Sequence, residues 1–162
     1  MTAGATYLIE AKDVHFAWML NEAATPNDLS LPPGGVDERS TLAMLRRVTA
    51  NLRSQGVLGT WLIATDAEIV GLCGFKELPK DGVVEIGFGI AASRRRRGHA
   101  TRAVTALLTE ASVNIAIDRL TAQTTICNVG SQRALQRNGF VQVGTRNSAE
   151  DGDLIIWART VR

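Results

Sequence analysis

Residues 83–110 read VVEIGFGIAASRRRRGHATRAVTALLTE, a strand-like apolar pattern that runs into Arg94, Arg95, Arg96 and Arg97 and then into an amphipathic helix. The first N–H groups of a helix have no intrahelical acceptor and carry the positive end of the helix dipole. A phosphate placed there accepts several hydrogen bonds. Gly98 and Ala100 are small enough to let a diphosphate approach the backbone, and Gly98 also tolerates turn geometry closed to other residues. The arginines add long-range attraction and forked donors for further phosphates. The plainer alternative is a solvated arginine cluster ahead of an ordinary surface helix. A second segment, NVGSQRALQRNGF at 128–140, supplies a strand exit, Asn128, the hydroxyl of Ser131 and a short helix stopped before Phe140. The two segments together are more specific than either alone.

The elements that must hold these segments follow from periodicity and turn chemistry. Residues 6–9 predict a short strand, and Asp13 a cap for a helix carrying Val14, Phe16, Ala17, Met19 and Leu20. Residues 25–36, TPNDLSLPPGGV, predict a loop. Asp37 is the expected cap of a second helix with Leu42, Leu45, Val48 and Leu52 on one face, ended by Gly56. Strands are predicted over 60–65, 68–77 and 83–92, joined by turns short enough for an antiparallel meander. The helix after Gly98 has Ala100, Ala103, Val104, Leu107, Leu108 and Ala111 at the 3.6 period. A buried strand over 119–127, a short helix over 131–138 and a hairpin of 140–145 with 154–160 complete the order βααβββαβαββ. Hairpins mixed with helical crossovers predict a mixed sheet in an α+β three-layer domain.

At 162 residues the chain has about one domain's length, so a single unit over 1–162 is expected. Its 45% apolar content suits a self-sufficient core, and 21% charged residues with four prolines exclude disorder and collagen-like repeats. Cys73 and Cys127 lack metal-ligand or disulfide spacing and are expected to be reduced thiols in a cytoplasmic protein, with no metal. The start, MTAGATYLIEAKD, lacks a secretory pattern, and no apolar run is long enough to span a membrane. Eighteen basic against sixteen acidic residues give +2, and setting aside the four-arginine run leaves fourteen against sixteen. The positive excess is local, which suits one polyanionic ligand and argues against a nucleic-acid partner or a membrane.

On these two segments the sequence resembles the GNAT superfamily of N-acetyltransferases, whose signature Q/R-x-x-G-x-G/A is met by Arg95, Gly98 and Ala100. The second segment is similar to the N-x-x-S … N-G-F element of the branch that includes ribosomal-protein N-terminal acetyltransferases. The resemblance implies an acyl-CoA N-acyltransferase-like fold: a mixed, mostly antiparallel seven-stranded sheet, splayed between its fourth and fifth strands, with a pantetheine arm in the gap. It implies acetyl-CoA as acyl donor. Phe88, Gly89 and Ile90 would pair their backbone with the pantetheine amides. Arg95, Arg96, Arg97, Gly98, His99 and Ala100 would cradle the diphosphate, and Asn128 would contact the cofactor arm. Arg96 stands where many members have glycine, and Ala100 replaces the second glycine.

The implied reaction is attack of a neutral amine on the thioester, which needs a base, a polarised carbonyl and an acid for the thiolate. Glu85 matches a fourth-strand glutamate that serves as base, through water, in part of the family. The fifth-strand alternative is Gln123, which cannot take a proton. Many members use a tyrosine acid, but the one tyrosine is Tyr7 on the first strand, so Ser131 takes that role. Plainer roles stand beside these: Glu85 as a strand carboxylate paired with an arginine, Ser131 as a helix cap, and His99 as a packing residue. Trp18, Trp61 and Trp157 are expected in the core or a pocket wall. The acceptor is a primary amine on a protein N-terminus or a small molecule, met by the 25–36 loop and the acidic tip with Glu150, Asp151 and Asp153, unless that tip is an ordinary solvated turn. A homodimer is left open. The competing functions are a catalytically silent acyl-CoA-binding module and a nucleic-acid binder using the arginine run.

Overall fold

The computed structural model describes residues 4–26 and 28–162; Met1, Thr2, Ala3 and Asn27, the last within the predicted 25–36 loop, lie outside the described residues. The elements are β1 (Tyr7–Glu10), α1 (Asp13–Met19), α2 (Arg39–Ser54), β2 (Thr60–Thr65), β3 (Glu68–Phe75), β4 (Val83–Ile90), α3 (His99–Ser112), β5 (Arg119–Thr125), α4 (Val129–Arg137), β6 (Val141–Ser148) and β7 (Gly152–Thr160), with one 3-10 turn at Ala92–Arg94. This is the order that the hydrophobic pattern predicts.

The strands form one seven-stranded sheet in the order β1-β2-β3-β4-β5-β7-β6. Short turns make β1 through β4 an antiparallel meander, whereas the α3 crossover returns β5 parallel to β4. The sheet is completed by antiparallel pairing of β5 with β7 and of β7 with β6. The fold is therefore the mixed, three-layer α+β arrangement expected, and no helix among the described residues is long and apolar enough to cross a membrane.

Alternation along the strands divides the core between two faces. Ile63, Val70, Cys73, Phe75, Val84, Ile86, Leu120 and Ala122 face α3 and α4, whose Ala103, Val104, Leu107, Ala111 and Leu135 close over them. On the opposite face Leu62, Ala64, Ile69 and Leu72 meet Phe16, Trp18 and Met19 of α1 and Leu42 of α2. Burying apolar area of this kind contributes about 25 cal/mol per Å². Val70 is an extra residue on β3 between the pairs Ala64–Ile69 and Ile63–Gly71, a bulge whose carbonyl accepts from Ala91 N–H at 2.8 Å. Trp18, Trp61 and Trp157 are core residues at 6%, 4% and 3% exposure.

Three helix starts differ from expectation. Lys12, not Asp13, is the N-cap of α1, because the Asp13 carboxylate is drawn to Arg46 on α2, with Nε–Oδ1 at 2.7 Å and Nη2–Oδ2 at 2.9 Å. That hydrogen bond holds the Asp13 carboxyl below its ordinary range. Glu38 is the N-cap of α2, and Asp37 accepts from the Glu38 N–H instead. Asn128 caps α4, which places Ser131 inside the first turn. Gly56, at φ 75°, follows α2 as the left-handed stop expected of it.

Two buried histidines are held by hydrogen bonds, His15 within the start of α1 and His99 between α3 and Thr6, the residue before β1. His15 Nδ1 accepts from Lys12 N–H at 2.9 Å, and His99 Nδ1 lies 3.1 Å from Thr6 Oγ1 and 3.3 Å from an Arg102 nitrogen. Each Nδ1 faces an N–H donor, from Lys12 or Arg102, an arrangement that favours the neutral ring. Burial, and then the cations near each ring, hold both pKa values below 6.5. The unfolded chain therefore binds protons near 6.5 that the folded chain refuses. Stability from this source is complete above that value and falls as pH drops into the window beneath it. Urea denaturation should accordingly give lower stability at pH 5.5 than at pH 7.5, with a smaller difference in His15→Gln/His99→Gln; an equal difference in both proteins would refute it. Leu120 is 0% exposed and sits where β4, β5 and β7 meet. Leu120→Ala should cost about 2–5 kcal/mol and lower Tm by roughly 4–20 °C, measured by calorimetry.

Candidate active site

The parallel pair β4–β5 is short. Val83, Val84 and Glu85 face Arg119, Leu120 and Thr121, and beyond Glu85 the two strands part. On its other side β4 stays paired with β3 through Ile90, so it keeps its direction while β5 turns to follow β7. The result is a V-shaped groove. Its apex is at Glu85, its walls are the later halves of β4 and β5, and its mouth lies at the connections to α3 and α4. From Ile86 to Ile90 the β4 wall runs roughly 13 Å at ordinary strand rise.

At the mouth, the chain leaving β4 bends back twice into the left-handed region, at Arg96 with φ 65° and Gly98 with φ 81°. Among the described residues, no acceptor takes the main-chain N–H groups of Arg96, Arg97, Gly98, His99, Ala100 or Thr101. These donors converge on the start of a 14-residue helix. The left-handed conformation explains why glycine is at home at position 96, and why arginine there costs on the order of 1 kcal/mol. The four arginines have different roles. Arg94 is bound to Glu68 with Nε–Oε1 at 2.6 Å, and Arg95 Nε donates to the Ile90 carbonyl at 3.1 Å. The Arg96 and Arg97 side chains are exposed and make no ion pair or hydrogen bond among the described residues.

Arg102, which the sequence pattern did not single out, holds this bend. Its guanidinium donates to Thr6 Oγ1 at 2.8 Å and to the Arg97 carbonyl at 2.9 Å, and a Cβ on Gly98 would come within 2.6 Å of its Nη1. His99 is 5% exposed, with its ring turned toward Thr6 and Arg102. Its side chain packs, as the plainer reading had it, and only its N–H faces the mouth.

Along the groove, β4 presents Glu85, Gly87 and Gly89 to the face shared with α1 and α2, while Ile86, Phe88 and Ile90 turn toward the α3 side. A Cβ at Gly89 would meet nothing within 4 Å, so the wall is bare there. At the apex Glu85 is committed to two partners. Its Oε2 lies 2.5 Å from Lys76 Nζ, and its Oε1 accepts from Gln123 Nε2 at 3.1 Å. The expectation of an arginine partner is corrected to lysine, because hairpin register sets Lys76 opposite Glu85: Lys76 N–H donates to the Glu85 carbonyl at 2.9 Å. The Lys76 stem crosses Gly87, where a Cβ would lie 3.1 Å from Lys76 Cε. A cavity of about 500 Å³ between α2 and the β3–β4 connection opens beside Lys76, lined also by Val48, Asn51, Leu52, Leu78 and Lys80.

Beyond the other wall, Asn128 Oδ1 accepts from Ser131 N–H at 3.2 Å. Asparagine, not Ser131, thus does the capping, and the half-buried Ser131 hydroxyl has no partner among the described residues. The tip joining β6 to β7 lies at the same end of the sheet, since Leu154 faces Thr125. Within the tip the acids are exposed and Asp153 accepts from Asn147 at 2.9 Å. The loop after α1 reaches that end too, with the Pro33 carbonyl accepting from Ser93 Oγ at 2.9 Å. Among the described residues, no group of His, Cys, Asp and Glu side chains is arranged to hold a metal ion. Cys73 is buried, which pushes its thiol far up, and Cys127 is exposed and free.

This architecture is that of known acyl-CoA enzymes. A solved structure of RimL, a ribosomal L7/L12 alpha-N-protein acetyltransferase in complex with coenzyme A, superimposes with a TM-score of 0.73 at 20% identity, over 99% of this chain and 95% of that one. The microcin C7 self immunity acetyltransferase MccE, solved with acetyl-CoA and AMP, gives 0.70 at 18% identity over 96% and 92%. At such identities the likeness is one of fold. An uncharacterized N-acetyltransferase of Bacillus subtilis, YjdG, is 35% identical over 95 residues, so the match spans about half of each chain, 56% in both cases. Residues 7–141 match the acetyltransferase (GNAT) domain, which places the chain in the GNAT family of acetyltransferases.

Proposed function

We propose that the chain transfers an acetyl group from acetyl-CoA to a primary amine by direct attack in a ternary complex. The observation that carries this reading is the groove itself: unpartnered N–H donors at the mouth, an unpaired strand along the wall and a carboxylate at the apex. When bound, acetyl-CoA supplies an activated acyl group as a thioester.

The residues divide the work by position. The N–H groups of residues 96–101 and the free Arg96 and Arg97 guanidinium groups suit a diphosphate. The backbone of Phe88, Gly89 and Ile90, with its β5 side unpaired, suits the amides of an extended arm, as an added strand would. Arg95 closes the end of that wall by holding the Ile90 carbonyl. Asn128 steadies the first turn of α4, and Ser131, its hydroxyl free, is the acid for the thiolate. Glu85 takes the proton from the acceptor, and Gln123, unable to act as base itself, holds the other carboxylate oxygen. The acceptor ammonium must take the place that Lys76 occupies at Glu85 Oε2. The reduced state of both cysteines suits a cytoplasmic setting.

Arg102 is a positioning residue. A trans peptide points its N–H opposite to its carbonyl, so fixing the Arg97 carbonyl fixes the Gly98 N–H toward the mouth.

Titration with acetyl-CoA should raise Tm, by an amount equivalent to about 2.7 kcal/mol at a hundredfold excess over Kd. Thiol release should follow on a panel of peptides, polyamines, aminoglycosides and amino acids. Stabilisation without thiol release would instead support the silent module. Glu85→Gln should lower kcat by about 10²- to 10⁴-fold and leave KM for acetyl-CoA unchanged; a wild-type pH–rate profile in the variant would show that another group is the base. Arg102→Ala should raise KM for acetyl-CoA by about tenfold while leaving acetyl-pantetheine, which lacks the diphosphate, unaffected. Equal losses with both donors would reduce Arg102 to a folding role.

A further inference from the structure

Lys76 stands where the reaction requires an amine. Its stem lies along the groove face of β4, over Gly87, and its Nζ meets Glu85 Oε2 at 2.5 Å, at the point where β4 and β5 separate. A donor anchored at residues 95–100 and laid along β4 runs from the mouth toward this apex. Its reactive end therefore arrives at the residues that Lys76 covers. Of the three lysines, Lys12, Lys76 and Lys80, only Lys76 touches a carboxylate among the described residues. The pair is well held, because Gln123 fixes Glu85 Oε1 and the backbone bond from Lys76 N–H to the Glu85 carbonyl locks the two residues side by side.

We propose that Lys76 is itself an acetyl acceptor, so that the protein acetylates its own Lys76 in cis when no external amine fills the apex. The inference rests on the acetyl-CoA reading of the groove. The Lys76 ammonium gives one proton to Glu85 Oε2, and the freed nitrogen lone pair attacks the thioester carbonyl carbon. The C–N bond forms as the C–S bond breaks. The second proton on nitrogen goes to the departing thiolate, giving coenzyme A, and Glu85 releases the first to water. The product is a neutral amide, which no longer pairs with Glu85, so the carboxylate is left free for other acceptors. Tethering favours the step, since nucleophile and base are already in contact and no second molecule has to be captured.

The test is incubation of the full chain with acetyl-CoA alone, followed by peptide mapping of the three lysines. The expected result is an addition of one acetyl group at Lys76, faster than at Lys12 or Lys80, at a first-order rate independent of protein concentration and lost in Glu85→Gln. Coenzyme A, which has no acetyl group to give, should in addition shield Lys76 from reductive methylation while leaving Lys12 reactive. Uniform slow addition at all three lysines, or a rate that scales with protein concentration, would overturn the proposal. A chain that is stabilised by acetyl-CoA and releases thiol with an external amine, yet leaves Lys76 unmodified, would overturn this inference and leave the enzyme intact. No stabilisation and no thiol release would remove both.

Discussion

The parting of β4 and β5 after three residue pairs is the constraint on which the rest of the site depends. A strand in the middle of a sheet normally has partners on both sides, and unpaired main-chain groups held away from water are costly. Here β4 keeps β3 on one side and loses β5 on the other, so residues 86–90 offer strand-like hydrogen bonding to a third party. The cost is tolerable because the core on the α3 side is continuous across the split: Val84 and Ile86 of β4 and Leu120 and Ala122 of β5 belong to one buried cluster with Ala103, Val104 and Leu107. One face thus holds the two half-sheets together while the other opens. The glycines at positions 87 and 89 lie on the opening face, where larger side chains would fill the space the split creates.

Charge at the mouth is arranged in the same economical way. Four adjacent arginines look in sequence like one cationic patch, but their surroundings separate them into two structural and two free groups. Arg94 anchors the 3-10 turn to Glu68, and Arg95 ties the turn to the last carbonyl of β4. What remains for an anion is Arg96 and Arg97 together with the N–H groups of the bend. Under the proposed function, most of the recognition falls to dipoles that have no side-chain entropy to lose, with the flexible guanidinium groups adding attraction from further away. The bend itself is held from behind by Arg102, a fifth arginine with its charge directed at the protein's own carbonyl and hydroxyl.

Much of this was legible in the sequence because it is encoded locally. The bounds of β2, the start of β5 and the apolar face of α3 follow from alternation and the 3.6 period, and the bend ahead of α3 from four arginines and a glycine before a helix. What escaped sequence reasoning depends on register between distant segments. Asp13 and Asp37 have the right chemistry for caps, but Asp13 is taken by Arg46, thirty-three positions away, and the capping of α1 moves one residue back. Asn128 and Ser131 are both good cap residues three apart, and only the backbone path out of β5 decides between them. Lys76 and Arg102 were invisible for a related reason. Nothing near Lys76 in sequence marks it; its importance comes from pairing across the β3–β4 hairpin, which sets it beside Glu85. Arg102 lies close to the signature residues, but its partner Thr6 is ninety-six positions away.

The apex also bears on what the acceptor can be. Removing a proton at pH 7 costs about 1.4 kcal/mol for an α-amine of pKa near 8 and about 4.6 kcal/mol for a lysine-like amine near 10.4. An external acceptor has a further cost, since it must separate Lys76 from Glu85 before its own ammonium can reach the carboxylate. The pair is partly exposed, with side-chain exposures of 53% for Lys76 and 20% for Glu85, so solvent moderates that cost without removing it. The first contribution separates acceptors by pKa, and the second falls on all of them alike. An amine of low pKa loses little in deprotonation, whereas displacing the resident lysine costs the same for any ammonium. In the proposed reaction a preference for α-amines and other weakly basic amines therefore comes from the cost of deprotonation, while unmodified Lys76 sets a threshold that every external acceptor must pass.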